Sequence, residues 1–307
     1  MPNLIEQAKI FQQELDKQVI AGATSGWMEF NAGLAKYNGG NEVKIPQISM
    51  DGLGDYDRDL GFVDGAVSLS FITKTLTQDR GRSFHLDNMD VNESNFIATA
   101  ANVIGEFQRT KVIPEIDAYR YSSIAAQAIV KGRAVGGYTA VAASILTKIK
   151  EDIAAIYDIV GEIPLVIMLS GAIAGFLDNS AEIAKQLNTI EFVKGEIKTM
   201  VKAIDINPII RVPSARMKTA YVFNDGTTGG QTGGGFVSDV GAKNINWIIA
   251  PRTTPIAVSK TDTLRIFDPQ TNQKADAWKI DYRKFHDLWI KDNQFEAIKV
   301  NIKEALV

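Results

Sequence analysis

The chain contains no cysteine. That excludes disulfides, thiolate zinc sites, iron–sulfur clusters and cysteine nucleophiles. Histidine is nearly as scarce, with only His85 and His286 in 307 residues. They lie far apart, and no Gly-x-Ser-x-Gly elbow accompanies either, so a hydrolase of the usual kind has nothing to build on. Charge of one sign is lacking too. With 33 basic and 36 acidic side chains the net charge is −3, which is not the basic footprint of a protein whose main task is to hold nucleic acid. Long apolar runs are also missing. The longest uncharged stretch, Ile163 to Leu177, is broken by Pro164, Gly171 and Gly175 and falls short of the ~20 residues a membrane helix needs. The opening segment, MPNLIEQAKIFQQELDK, carries charge every few residues, so it is not expected to be a secretory signal.

What remains is an ordinary folded composition, 45% hydrophobic and 22% charged, long enough for about two domains at roughly 150 residues each. Residues 3 to 21 place Leu4, Ile5, Ala8, Phe11, Leu15 and Val19 at helical spacing before Gly22, predicting an amphipathic helix. Residues 42 to 92 switch to alternation. Val43 and Ile45 share one face, the parity slips near Pro46, and Ile48 and Met50 follow, which predicts an edge strand with a bulge. Val67, Leu69 and Phe71 alternate with serines on the return run, and the turn-rich DGLGDYDRDLGFVDG lies between. The pair reads as a long two-stranded arm. Such a ribbon is marginal alone in water, so its apolar face needs cover from the parent domain or from another subunit.

Beyond the arm, Asn92 or Ser94 can cap a helix carrying Phe96, Ala100, Val103, Ile104 and Phe107 on one stripe. Pro114 is expected to interrupt it, with a second helix running to about Lys131. A third helix over Thr139 to Asp158, a buried strand over Ile163 to Leu169 and a helix capped by Asp178 or Ser180 give the middle an α/β texture. From Ile209 on the pattern is mainly strands, with Ile298, Val300 and Ile302 reading as a half-solvated one. The glycine-rich TTGGQTGGG at 227 to 235 reads as a flexible surface or pore loop.

His85 reads as a polar arm residue and His286 as a surface or interface one. Asp55, Asp57 and Asp59 fall at positions one, three and five of a calcium loop, but Leu60 and Ala66 stand where glycine and glutamate are required, so a structural turn is the better reading. Gly229, Gly230, Gly233, Gly234 and Gly235 are not followed by Lys-Ser or Lys-Thr, which argues against a phosphate loop. The segment from Ser170 to Gly175 follows a strand as a dinucleotide turn would, yet lacks the glycine core of that motif. No credible active site, metal site or cofactor site emerges. Contact features emerge instead: the amphipathic N-terminus with Phe11, the ribbon with Phe71, and arginines near the ribbon's ends at Arg58, Arg80 and Arg82. These five are the expected subunit-interface residues, because arginine pairs bidentately with carboxylates across interfaces.

Three segments resemble the major capsid proteins of tailed bacteriophages with the Hong Kong ninety-seven phage fold, particularly those of phages of Gram-positive hosts. Residues 55 to 94 look like the family's E-loop, with a tyrosine-aspartate-arginine turn, the strand end Asp79-Arg80-Gly81, then Phe84, Asp87, Asp90 and Glu93. Residues 107 to 125 look like its stretch at and after the spine helix, with Arg109, Pro114, Glu115, Asp117, Ala118, Tyr119 and Arg120 in order. Residues 285 to 305 are similar to its closing strands. The resemblance implies an α+β capsid fold with an N-terminal arm over 1–30, an extended E-loop hairpin over 31–92, a P domain with a long spine helix over 93–135, an A domain over 136–255 and a P-domain sheet return over 256–307. It implies a structural protein and not an enzyme: hexamers and pentamers closing an icosahedral shell around double-stranded DNA held without sequence-specific contacts. The expected partners are further copies, a portal and, since the arm starts almost at Met1, a separate scaffolding protein. The expected location is the virion, with assembly in the host cytoplasm and no membrane. An encapsulin-like nanocompartment shares the fold and is the alternative; an α/β nucleotide-binding enzyme using Ser170 to Gly175 is a further one.

Overall fold

A computed structural model describes residues 19, 22–34, 36–37, 42–59, 61–87, 100–180, 187–194, 197–272, 274 and 276–306. The N-terminal helix with Phe11, apart from Val19, and the caps expected at Asn92 or Ser94 lie outside the described residues.

A 3-10 helix at Gly26–Leu34 leads through β1 (Lys36–Tyr37) to β2 (Glu42–Met50), β3 (Val67–Thr75) and β4 (Gln78–Asp87). One long helix follows in three parts: α1 (Ala100–Phe107), a π turn (Gln108–Val112) and α2 (Ile113–Val130). Phe107 and Val112, at the two joints, keep helical backbone angles. Pro114 therefore does not interrupt the helix, contrary to the expectation from sequence. A proline lacks an N–H and crowds the carbonyl four residues back; the wider π turn directly before it absorbs that misfit. From Ala100 to Val130, at ~1.5 Å per residue, the spine is roughly 46 Å long. Gly132 ends it with a left-handed φ of 68°.

Next come β5 (Ala134–Val135), α3 (Ile145–Val160), β6 (Leu165–Ser170) and α4 (Gly171–Asp178). Asp178 thus closes a helix that runs straight out of β6; the helix expected after a cap at Asp178 or Ser180 falls on residues 181–186, outside the described residues. The rest is β: β7 (Leu187–Lys194), β8 (Ile197–Ile204), β9 (Asn207–Val212), β10 (Tyr221–Phe223), β11 (Phe236–Ser238), β12 (Ile245–Pro251), β13 (Pro255–Phe267), β14 (Ala277–Ile290) and β15 (Lys299–Ile302).

A seven-stranded mixed sheet in the order β5-β15-β12-β6-β9-β8-β7 forms the centre. Alternation along its strands sends side chains to two separate cores. Val166 and Met168 of β6 and Ile248 and Ala250 of β12 pack with Tyr121, Ile124, Ala125 and Ala128 of α2. Leu165, Ile167 and Leu169, with Trp247 and Ile249, pack with Ile145, Ile149, Ile153 and Ile156 of α3. With both faces covered, every residue of β6 and β12 is buried. The same layering corrects the expectation of a half-solvated β15: even Asn301 is fully buried, accepting a 2.7 Å bond from Asn246 Nδ2. A second sheet, β13-β14-β4, stands beside the spine, and β1-β2-β3 forms the arm.

Candidate functional site

Among the described residues, the outer half of the ribbon of β2 and β3 carries large apolar side chains that stay exposed. The register of the ribbon is unbroken from Glu42↔Thr75 to Met50↔Val67, with Pro46 opposite Phe71. The bulge expected at Pro46 is absent; the parity slip in the sequence has another cause. Residues directly opposite share a face of an antiparallel pair. At the base, Val43 and Ile45 turn to the face that packs on Leu76, Ile256, Val258, Phe285 and Trp289 of their own subunit. Farther out the other face is the apolar one, pairing Pro46 with Phe71, Ile48 with Leu69 and Met50 with Val67, while Gln47, Ser49, Ser68 and Ser70 occupy the face that was apolar at the base. Ile45 is 3% exposed, whereas Ile48 is 57% and Phe71 48% exposed. One ribbon thus presents its two faces to two different environments.

The tip is an ordered loop. Asp51 Oδ2 accepts from Ala66 N at 2.8 Å, and Asp57 and Gly61 exchange backbone bonds. Gly61 takes a φ of 83° there, a conformation that favours glycine. Asp57 Oδ1 accepts from Asp59 N at 2.7 Å, so this carboxylate serves its own turn, and no cluster of metal-ligating side chains exists among the described residues. Arg58 lies in this exposed turn.

The joint between arm and body is clamped by one buried carboxylate. Asp287 Oδ2 accepts from Thr77 N and Thr77 Oγ1, both at 2.9 Å, and its Oδ1 accepts from Tyr119 Oη at 2.6 Å. Burial, together with the adjacent carboxylate, pushes the Tyr119 hydroxyl well above its ordinary pKa, so it remains a donor. A second buried carboxylate ties the N-terminal segment to the spine: Asp117 accepts from the backbone and hydroxyl groups of Thr24 and Ser25 and from Arg216 Nη1 at 2.9 Å. Arg120, also buried, donates to Ser25 O and to Glu29 Oε1.

Arg80, read from sequence as an interface residue, is engaged inside the subunit. It pairs with Glu115 at 2.7 Å and donates to Asn224 O and Gly235 O at 2.8 and 3.1 Å. Arg82 donates to Thr232 O at 3.2 Å and stays exposed. The glycine-rich loop therefore offers carbonyls to two guanidinium groups, the reverse of a phosphate loop, whose N–H groups face an anion. Gly226 has a φ of 79°, and a Cβ there would come within 3.0 Å of Arg82 Nη1. Turns at Thr228–Gln231 and Gln231–Gly234, and the Asp225 carboxylate bonded to Thr227 N, Thr228 N and Thr228 Oγ1, give the loop a defined course. Those bonds hold Asp225 well below the usual carboxylate range. The neighbouring Gly81 is needed too: a Cβ there would meet Tyr282 O at 2.8 Å.

His85 is exposed on β4 opposite Lys279. His286 is not at the surface as expected but buried, with its ring edge against Tyr119 at 5.4 Å. Burial first, and then Arg120, Lys284 and Arg80, push its pKa well below the ordinary value. Ser214 Oγ accepts from Ala172 N at 2.9 Å and from Ser170 Oγ at 3.0 Å, filling the helix N-terminus that a nucleotide phosphate would use. No described helix is long and apolar enough to cross a membrane. Sequence reasoning missed Asp287 and the clamping roles of Asp117 and Tyr119; an acid directly before the apolar Leu288, Trp289 and Ile290 of β14 was the available signal.

No family model matches the chain, and no curated protein matches it. Solved structures do. The asymmetric unit of the bacteriophage PhiM1 mature capsid aligns at a TM-score of 0.55 and 13% identity, over 86% of this chain and 82% of that one. The capsid structure of cyanophage P-SCSP1u aligns at 0.54 and 9%, over 87% and 84%. A structure from Gordonia phage Cozz aligns at 0.53 and 15%, over 89% and 86%. At these identities the likeness is one of fold. With its arm, spine helix and mixed sheets, the chain carries the α+β fold of tailed-phage major capsid proteins, the Hong Kong ninety-seven-like architecture.

Proposed function

We propose that this chain is a major capsid protein whose copies form hexamers and pentamers and close into an icosahedral shell around double-stranded phage DNA. The observation that carries the reading is the distal ribbon face of Ile48, Met50, Val67, Leu69 and Phe71, apolar and exposed although Val43 and Ile45 at the same ribbon's base are buried. Covering it with a neighbour yields several kcal/mol at ~25 cal/mol per Å² before ordering costs, more than exposed ion pairs supply at ~0.2–1 kcal/mol each. Repeated around a symmetric particle, such modest contacts add to a stable shell. In this reading β2 and β3 are the E-loop, the helix from Ala100 to Val130 is the spine, and a portal and a scaffolding protein are the other partners. Near-neutral net charge suits a container from which DNA must slide free.

Deleting residues 55–65 leaves a folded, soluble subunit that no longer forms particles, as negative-stain microscopy and circular dichroism of the purified chain will record. Closed shells from the deleted protein would remove the arm from the assembly mechanism. Particles filled with DNA support the virion reading, and particles filled with a cargo enzyme overturn it.

A further inference from the structure

Strands β4 and β14 pair so that Arg82 lies opposite Tyr282, Phe84 opposite Ile280 and Gln78 opposite His286. Directly opposite residues share a face of an antiparallel pair, so Arg82, Phe84, Tyr282 and His286 all turn to the side on which the spine packs. The spine does not fill that side. Between β4, the π turn and the glycine-rich loop remains a cleft of about 430 Å³, within the ~300–1,000 Å³ typical of small-molecule sites. The assembly reading gives this cleft no role.

Its floor is aromatic. Phe84 meets Phe107 edge to face at 4.8 Å, and Phe107 meets Tyr282 at 5.7 Å; Phe84 and Phe107 are only half-buried. The glycine-rich wall is bare, since a Cβ added at Gly233 or Gly235 would have nothing within 4 Å. Four cations, Arg80, Arg82, Lys111 and Lys284, line the cleft against three carboxylates, Asp79, Glu115 and Asp225. The carboxylates are engaged, Asp79 by Arg283, Glu115 by Arg80, and Asp225 by Thr227 and Thr228. That leaves Lys111 and Arg82, both exposed, to meet an anion; Arg82 donates to Thr232 O, and a guanidinium carries further donors. Buried in the same wall at 3% exposure, His286 Nδ1 has no hydrogen-bond partner among the described residues. A buried polar atom left unmatched costs free energy until something supplies the bond.

Each feature suits one part of a ligand. A flat heteroaromatic ring stacks on an aromatic floor, an anionic group faces a guanidinium and an ammonium, and a polar atom of the ring can match the buried imidazole. We propose that the cleft is a small-molecule site for a nucleoside monophosphate, its base lying on Phe84, Phe107 and Tyr282 and bonded to His286 Nδ1, its phosphate held by Lys111 and Arg82. A nucleoside or inorganic phosphate alone meets only half of the site. Every group named belongs to one chain, so this inference goes beyond the assembly reading and does not depend on it.

The test is equilibrium dialysis of the full, unassembled chain against adenosine monophosphate, with adenosine and inorganic phosphate as the partial ligands. The wild-type chain takes up one nucleotide, saturably, and binds either partial ligand at least about tenfold more weakly. Lys111→Ala, a change at an exposed side chain, weakens the monophosphate by about tenfold, as the loss of one charge-assisted bond requires, and leaves adenosine unchanged. Phe84→Leu weakens both by about tenfold through lost stacking. Circular dichroism checks that both variants are folded. No saturable uptake by the wild-type chain, equal affinity of Lys111→Ala and wild type for the monophosphate, or adenosine bound as tightly as the monophosphate each overturns the site. A wild-type chain that forms particles yet takes up no nucleotide overturns this inference and leaves the assembly reading standing.

Discussion

Buried charge in this subunit is concentrated where segments distant in sequence must be joined. Asp117 satisfies both oxygens with donors from Thr24, Ser25 and Arg216, and Asp287 does the same with Thr77 and Tyr119. A buried carboxylate is tolerable only when so fully paired. His286 lacks that compensation. Its folded-state pKa lies below its ordinary 6.5, so the unfolded chain binds a proton that the folded chain refuses. The stability conferred by the neutral ring is complete above about pH 6.5 and is lost progressively as the pH falls from there toward the folded-state pKa, at up to ~1.4 kcal/mol per pH unit. Urea melts at stepped pH should show this slope, and His286→Leu should flatten it. An unchanged slope in the variant would assign the acid sensitivity to the carboxylates instead.

At the scale of elements, the ribbon and the spine each bend a sequence rule for a physical reason. The spine passes Pro114 through a π turn. The ribbon exchanges its apolar face midway because its base rests on the body of its own subunit and its outer half does not. Two residues of the same strand therefore behave oppositely. Ile45→Ala opens a hole in a filled core and should cost about 2–4 kcal/mol of subunit stability. Ile48→Ala should change stability by no more than ~0.5 kcal/mol, yet lower the yield of particles. Chemical denaturation together with light scattering separates the two effects; equal destabilisation by both would mean that the outer half also packs within the chain.

For the whole molecule, the proposed assembly of a chain with an exposed apolar arm and a small net charge has burial as its main driving term and charge as the guide to register. Closed symmetric assembly of many weak contacts is cooperative. Particles should therefore appear above a sharp threshold concentration, and this threshold should fall on warming from cold-room to room temperature, because apolar association weakens in the cold. Light scattering against concentration at the two temperatures checks both. A gradual ladder of dimers and trimers would show that the contacts do not close.

Much of this was legible in the chain before any coordinates. The two-stranded arm, the stripe of the spine and the apolar run of β6 all follow from residue type and spacing, which are local properties. Even the slip at Pro46 was visible, although not its meaning. What only the tertiary structure decided depends on partners remote in sequence. The course of the glycine-rich loop rests on Arg80 and Arg82, the burial of His286 on α2, the burial of Asn301 on helices covering both faces of one sheet, and the reversal of the ribbon's faces on where its own subunit ends. Periodicity tells a side chain which of its neighbours share its face; only the folded chain determines what lies against that face.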